Sequence, residues 1–249
     1  MKTLCFFNEK GGVGKTTHSV LFSSFLSYVK GLRVLVYDME PEPRIDRMRR
    51  SELSLLEDPS SALSRYLDRV GLPVSYYDIL SPASGSSLAG SSGFDVFQDE
   101  FWNMYDKDLY DYVIFDFPAG RHSSSFLGKC FASGLIDACF IPVDTDSMTR
   151  RCAFFTADMA RKNDVAVRLF WNNVSSSEIS NEGFLDLGEV IFNNHSFEFL
   201  KTRVKCFARA RRDSDSRLFV RSTVCFPIRY VDLNCPSLIP LYEEILGTL

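Results

Sequence analysis

"NEKGGVGKTTHS" spans Asn8 to Ser19, and the reading of its glycines and lysines decides the fold. Just before it, "TLCFF" (3–7) is a short apolar run rich in aromatics, which reads as a buried strand. From Lys15 onward, apolar residues fall at Val20, Leu21, Phe22, Phe25, Leu26, Tyr28 and Val29, a helical spacing that Gly31 stops. A glycine loop between a strand and a helix N-terminus suits phosphate. Gly11, Gly12 and Gly14 let backbone N–H groups turn toward an anion without Cβ obstruction, and the helix start adds partial positive charge. Within the stretch Lys10 to Thr17, Val13 and Thr17 complete the cradle, Lys15 is placed to reach β- and γ-phosphate oxygens, and Thr16 offers a hydroxyl to Mg²⁺. The alternative is a glycine-rich turn without a ligand, against which the order strand, loop, Lys-Thr-Thr, helix weighs. Two features depart from G-x-x-x-x-G-K-[ST]: Glu9 stands where the first glycine belongs, and a second lysine, Lys10, precedes Lys15 by five residues.

Further strands follow. "RVLVY" leads into Asp38 and "YVIF" into Asp116, and carboxylates at the C-terminal ends of strands in an open α/β sheet face the ligand crevice. For Asp38 the plainer role is a helix cap or a solvated loop acid. "IDACFIPVDTD" (136–146) and "VAVRLFWNNV" (165–174) read as two more strands, the second ending in Asn172. "SLIPLYEEILGTL" (237–249) reads as a closing helix with two acids and no lysine or arginine, unlike a basic amphipathic membrane anchor. "SPASGSSLAGSSG" (81–93) is Ser/Gly-rich and reads as a flexible loop inside the domain. The expected architecture is a single α/β P-loop NTPase domain over 1–249, a mostly parallel twisted sheet with helices on both faces.

"KGGVGKTT" resembles the deviant Walker A motif of the ParA/MinD ATPases, and the resemblance accounts for Lys10. In that family an extra signature lysine crosses a dimer interface to the partner's nucleotide, so Lys10 is expected to act there with Lys15, stabilising charge as the γ-phosphoryl leaves. Asp38-Met39-Glu40-Pro41-Glu42 resembles the family's D-x-D-P-Q segment. That implies Asp38 positions the attacking water, with Glu40 and Glu42 departing from the pattern. "DFPAG" resembles the Walker B and switch II segment. It implies that Asp116 holds Mg²⁺ through a bound water and that Pro118, Ala119 and Gly120 form a loop responsive to the γ-phosphate. His122 close by reads as a solvated loop histidine. "FWNNV" and "RSTVCFP" are similar to segments of ParA-like proteins of conjugative elements, which implies Asn172 at the adenine edge and Phe226 and Pro227 beside the base. A turn-capping asparagine and a core role for Phe226 and Pro227 remain open. The resemblance further implies ATP and Mg²⁺ as ligands, an ATP-bound homodimer and a ParB-like or other stimulating partner protein.

The net charge of −4 gives no global sign of nucleic-acid binding. Locally, however, Lys201 to Arg221 holds eight basic residues against Asp213 and Asp215. With Arg203, Lys205 and Arg209 as contacts, this reads as a patch for nonspecific DNA, a solvated helix face being the plainer alternative. The seven cysteines include no C-x-x-C pair and read as reduced, buried thiols. This disfavours an iron–sulfur carrier. The N-terminus lacks the features of a secretory signal, and no apolar run approaches the ~20 residues of a membrane span. A cytoplasmic protein, associated with the nucleoid when ATP is bound, is therefore expected. The leading expectation is a dimerising, DNA-associated ATPase acting in partition or conjugative-element maintenance. A P-loop metabolic enzyme of the dethiobiotin-synthetase-like ligase type is the alternative.

Overall fold

In the computed structural model, the described residues are 1–40, 45, 77–80, 94–95, 97–99, 101, 109–175, 178, 182–205 and 237–249. The Ser/Gly-rich stretch 81–93, Glu42, Arg209, Phe226 and Pro227 lie outside them.

Six strands form one sheet: β1 (Lys2–Phe6), β2 (Val34–Asp38), β3 (Asp78–Leu80), β4 (Tyr112–Asp116), β5 (Ala138–Val143) and β6 (Ala166–Trp171). Their order is β3-β2-β4-β1-β5-β6, and every pairing is parallel. Parallel strands need crossovers, and the crossovers cover both faces, so the strands read as near-continuous apolar runs. β2 and β5 are buried along their whole length. Side chains alternate across the sheet. Cys5, Phe7, Tyr37, Phe115, Cys139 and Trp171 line one core, while Leu4, Phe6, Val36, Ile114, Phe140 and Phe170 line the other.

Helix α1 (Lys15–Ser24) covers the second face, together with α5 (Leu238–Thr248). The sequence predicts one helix up to Gly31. Instead α1 ends at Ser24, and Phe25–Val29 continues as a π-helical turn. The Leu32 N–H then donates to the Leu26 carbonyl at 3.0 Å around Gly31, whose φ of +67° is the left-handed stop expected of glycine. On the first face lie α2 (Arg121–Ala132), α3 (Ser147–Lys162) and α4 (Glu182–Asn193), which contribute Phe126, Leu127, Ala153, Ala157 and Leu185 to that core. Helical residues Phe94, Phe97 and Phe101, spaced for one face, join it against Tyr37 and Phe115. Beyond β6, residues 198–204 run alongside the sheet edge, with Leu200 N–H bonding the Leu169 carbonyl at 2.7 Å and Val204 N–H the Trp171 carbonyl at 2.8 Å.

Among the described residues no helix is long and apolar enough to cross a membrane. The four described cysteines, Cys5, Cys130, Cys139 and Cys152, are free thiols, the first three buried.

Candidate nucleotide-binding site

All strands run the same way, so their C-terminal ends share one edge, and the glycine loop emerges there from the sheet interior between β4 and β5. Asn8 anchors its start. The buried amide donates to the carbonyls of Pro142 (3.0 Å) and Thr149 (3.2 Å), and its oxygen accepts the Lys10 N–H at 3.1 Å. The loop is thereby fixed to the end of β5 and the start of α3.

Gly14 shows why the loop needs glycine. Its φ is +94°, and an added Cβ would lie 2.7 Å from the Asn172 amide nitrogen, so any side chain is excluded by backbone conformation and by space together. Lys15, nearly buried, donates from Nζ to the Lys10 carbonyl at 2.9 Å. Its ammonium thus lies inside the loop it is expected to serve. Lys10 turns the other way and pairs with Asp146 at 3.1 Å. Asp146 also caps α3, accepting from the N–H groups of Met148 and Thr149. The lysine, first among the causes, and the cap bonds hold the Asp146 carboxyl below its ordinary range.

Register brings the two strand-end acids together, since Asp38 and Asp116 are paired positions of β2 and β4. Both are fully buried. Asp38 accepts from the N–H groups of Glu40 (3.1 Å) and Ile45 (2.8 Å), one on each oxygen. These two bonds hold the carboxylate against the chain that follows β2. Asp116 accepts from Ser19 Oγ at 2.9 Å. Burial pushes its carboxyl up to about 7, opposed by hydrogen bonds from Thr16 and Ser19 and reinforced by Asp38 and Glu40. Its Oδ2 has no hydrogen-bond partner among the described residues. A buried carboxylate oxygen without a donor suits a cation, directly or through a water. Thr16 and Asp116 are the residues that would hold Mg²⁺ here. No group of three His, Cys, Asp or Glu stands ready for a metal among the described residues, so the remaining ligands would be water and phosphate oxygens, the usual complement of this ion.

The segment after Asp116 closes over the loop. Gly120 N–H donates to the Glu9 carbonyl at 3.0 Å, Ser124 Oγ donates to the Glu9 carboxylate at 3.1 Å, and a Cβ on Gly11 would lie 3.7 Å from the Ala119 methyl. Glu9, in sequence only a departure from the glycine pattern, is therefore the link between the phosphate loop and the Pro118–Gly120 segment. His122 is exposed on the first turn of α2, as a solvated histidine should be.

Asn172 directly follows β6 and is nearly buried. Its Nδ2 donates to the Val13 carbonyl at 2.8 Å, so part of the amide expected at an adenine edge is spent on the loop itself. Arg203, expected to contact DNA, has its guanidinium 3.5 Å from Glu189, with about a quarter of the side chain exposed. Lys205 and Lys201 are exposed. Of the expected basic patch these three lie among the described residues.

A family model described as an AAA domain matches residues 1–48, the strand, loop, helix and second strand. The chromosome-partitioning ATPase Soj of Treponema pallidum is 25% identical over 154 residues, 58% of this chain and 58% of its own length. The chain thus spans less than two thirds of that relative. The virulence plasmid ParA family protein pGP5-D of Chlamydia muridarum is 24% identical over 244 residues, 90% of this chain and 87% of its own. Among solved structures, the MinD cell division protein of Aquifex aeolicus superposes with a TM-score of 0.60 at 15% identity, covering 99% of this chain and 97% of that one. A Borrelia burgdorferi B31 protein, described as a plasmid partition protein and bound to AMPPNP, gives a TM-score of 0.58 at 16% identity over 99% and 97%. The structural likenesses agree with the all-parallel α/β sheet, and the family model covers the glycine loop.

Proposed function

We propose that this chain, a P-loop ATPase of the ParA/MinD type, is a dimerising switch that binds DNA nonspecifically in its ATP form. It would act in plasmid or chromosome partition or in conjugative-element maintenance. The observation that carries the proposal is Lys10, a second cation at the mouth of the phosphate loop, held among the described residues by a partly exposed ion pair with Asp146. A loop that needs one lysine to bind nucleotide carries another that is free to turn outward. In this reading Gly11 to Thr17 cradle the phosphates, Thr16 and Asp116 hold Mg²⁺, and Asp38 orders the attacking water with Glu40 beside it. Asn172, Phe226 and Pro227 border the base. Crossing from one subunit to the other, Lys10 makes turnover depend on assembly. A ParB-like or other partner would set the hydrolysis rate, and the protein would be cytoplasmic and associated with the nucleoid when ATP is bound. The chromosome-partitioning role of Soj, the ParA family name of the plasmid protein pGP5-D and the local excess of basic residues from Lys201 to Arg221 support this reading.

The test is retention on DNA of unrelated sequences with ATP and Mg²⁺, alongside mass measured with and without ATP. The wild-type protein should double in mass with ATP and bind any duplex, with affinity falling steeply as salt rises. Lys205→Glu together with Arg209→Glu should weaken binding to every sequence by about tenfold or more at moderate salt and flatten the salt dependence, with ATP affinity unchanged. Adding Arg203→Glu should contribute less than either, because its guanidinium is already engaged by Glu189. Absence of any DNA retention at low salt would make the basic stretch a solvated face. Failure to double in mass as well would favour a metabolic ligase.

A further inference from the structure

We propose that His18 and Tyr242 are positioning residues that tie the phosphate-binding loop to the C-terminal helix α5 through a buried, directional chain of hydrogen bonds. The proposal rests on the reading of the loop as an ATP site.

His18 lies one turn into α1 and is 2% exposed. Aromatic rings fix its plane: Phe6 stacks against it at 5.7 Å, and Phe170 meets it edge-on at 4.9 Å. Its Nδ1 is 2.9 Å from the Tyr242 hydroxyl on α5. The opposite side of the ring faces the loop, where a Cβ at Gly14 would lie 3.7 Å from Nε2 and 2.7 Å from the Asn172 amide nitrogen. The Asn172 amide lies beside the imidazole, on the same side of the ring as Gly14, and donates from Nδ2 to the Val13 carbonyl at 2.8 Å.

The donors and acceptors order themselves. A neutral imidazole offers one of each. With the Asn172 nitrogen turned to Val13, its oxygen takes the His18 Nε2–H. Nδ1 is then the acceptor, and the Tyr242 hydroxyl donates to it. The chain runs Tyr242 O–H to His18, His18 N–H to Asn172, and Asn172 N–H to the carbonyl that precedes Gly14. Hydrogen bonds in series in a low-dielectric interior polarise one another, and a broken member leaves buried groups unpaired. The peptide at the far end belongs to the phosphate cradle. Its orientation is therefore coupled to the seating of α5, and by reciprocity ATP in the cradle should steady α5.

Tyr242→Phe removes one hydroxyl and keeps the ring against Phe22 and Phe25, at 5.3 Å and 5.8 Å in the wild type. In calorimetry this variant should bind ATP about fivefold more weakly, the effect of one lost hydrogen bond. In hydrogen exchange, ATP should slow the amides of 241–248 in the wild type, and Tyr242→Phe should lose that response. A variant with unchanged ATP affinity and the same ATP-dependent protection of α5 overturns the proposal and leaves the ATP site standing. Weaker binding with faster exchange throughout β1 and β4 in the absence of nucleotide marks a packing defect and also overturns it. A wild-type protein that binds no ATP overturns the reading of the loop, and the proposal with it.

Discussion

Lys15→Ala is expected to lose ATP binding, by about a hundredfold or more in calorimetry, the scale of removing about 3 kcal/mol of charge-assisted hydrogen bonding. The expectation has a geometric basis. The ammonium is nearly buried and points back into its own loop, onto the Lys10 carbonyl. Phosphate oxygens entering the cradle would therefore meet a positioned cation with little side-chain freedom left to lose. The variant's fold should survive, because the α1 positions that pack the core, Val20, Leu21 and Phe22, are untouched. An affinity for ATP equal to wild type would remove the loop from the nucleotide site.

Lys10→Ala is expected to behave differently, binding ATP within about threefold of wild type yet neither dimerising with it nor turning it over. Magnitudes support the separation. The Lys10–Asp146 pair is partly exposed, with the two side chains 32% and 52% accessible. Such pairs contribute about 0–1 kcal/mol, so little holds Lys10 at home and little stability is lost with it. In the opposite sense, a cation delivered to a departing γ-phosphoryl is worth orders of magnitude in rate. Mixing subunits tests delivery across the interface. Asp38→Asn keeps one oxygen as acceptor for a backbone N–H and should be inactive alone. In a mixed dimer with Lys10→Ala, the site with an intact Asp38 receives an intact Lys10 from its partner, and activity should reappear. Continued silence of the mixture, or full turnover by Lys10→Ala alone, would exclude the crossing role.

The parts legible in the sequence are those encoded in consecutive residues. The loop from Lys10 to Thr17 and the runs leading into Asp38, Asp116 and Asn172 were each readable, because a buried parallel strand and the residue that ends it are neighbours in the chain. Each of these landed on the same edge of the sheet. Contacts that lock the loop were not legible, because they join residues far apart. Asn8 reaches Pro142 and Thr149, Glu9 reaches Ser124, and His18 reaches Tyr242 across 224 positions. Only strand order brings such partners together. His122 was legible as a solvated histidine from its loop, whereas nothing in the pattern of α1 marked His18 as buried. Asp38 shows a subtler limit. Its place at a strand end was legible, but the two backbone N–H groups on its carboxylate depend on how the chain returns through Ile45. The three-residue β3 carried too little pattern to be seen.

Trp171 gives the molecule an optical probe of its own. The chain has two tryptophans, and this indole is fully buried, stacked on Phe199 at 5.1 Å with its N–H bonded to Glu189 at 2.7 Å. It immediately precedes Asn172, whose amide touches the phosphate loop. With Trp102 replaced by Phe, the emission that remains would come from a ring one residue from the candidate base and loop contacts. Its wavelength would report the polarity around Glu189 and its intensity the stacking on Phe199. Nucleotide occupancy would then be measurable by unlabelled fluorescence at submicromolar protein, where calorimetry lacks the sensitivity to follow it.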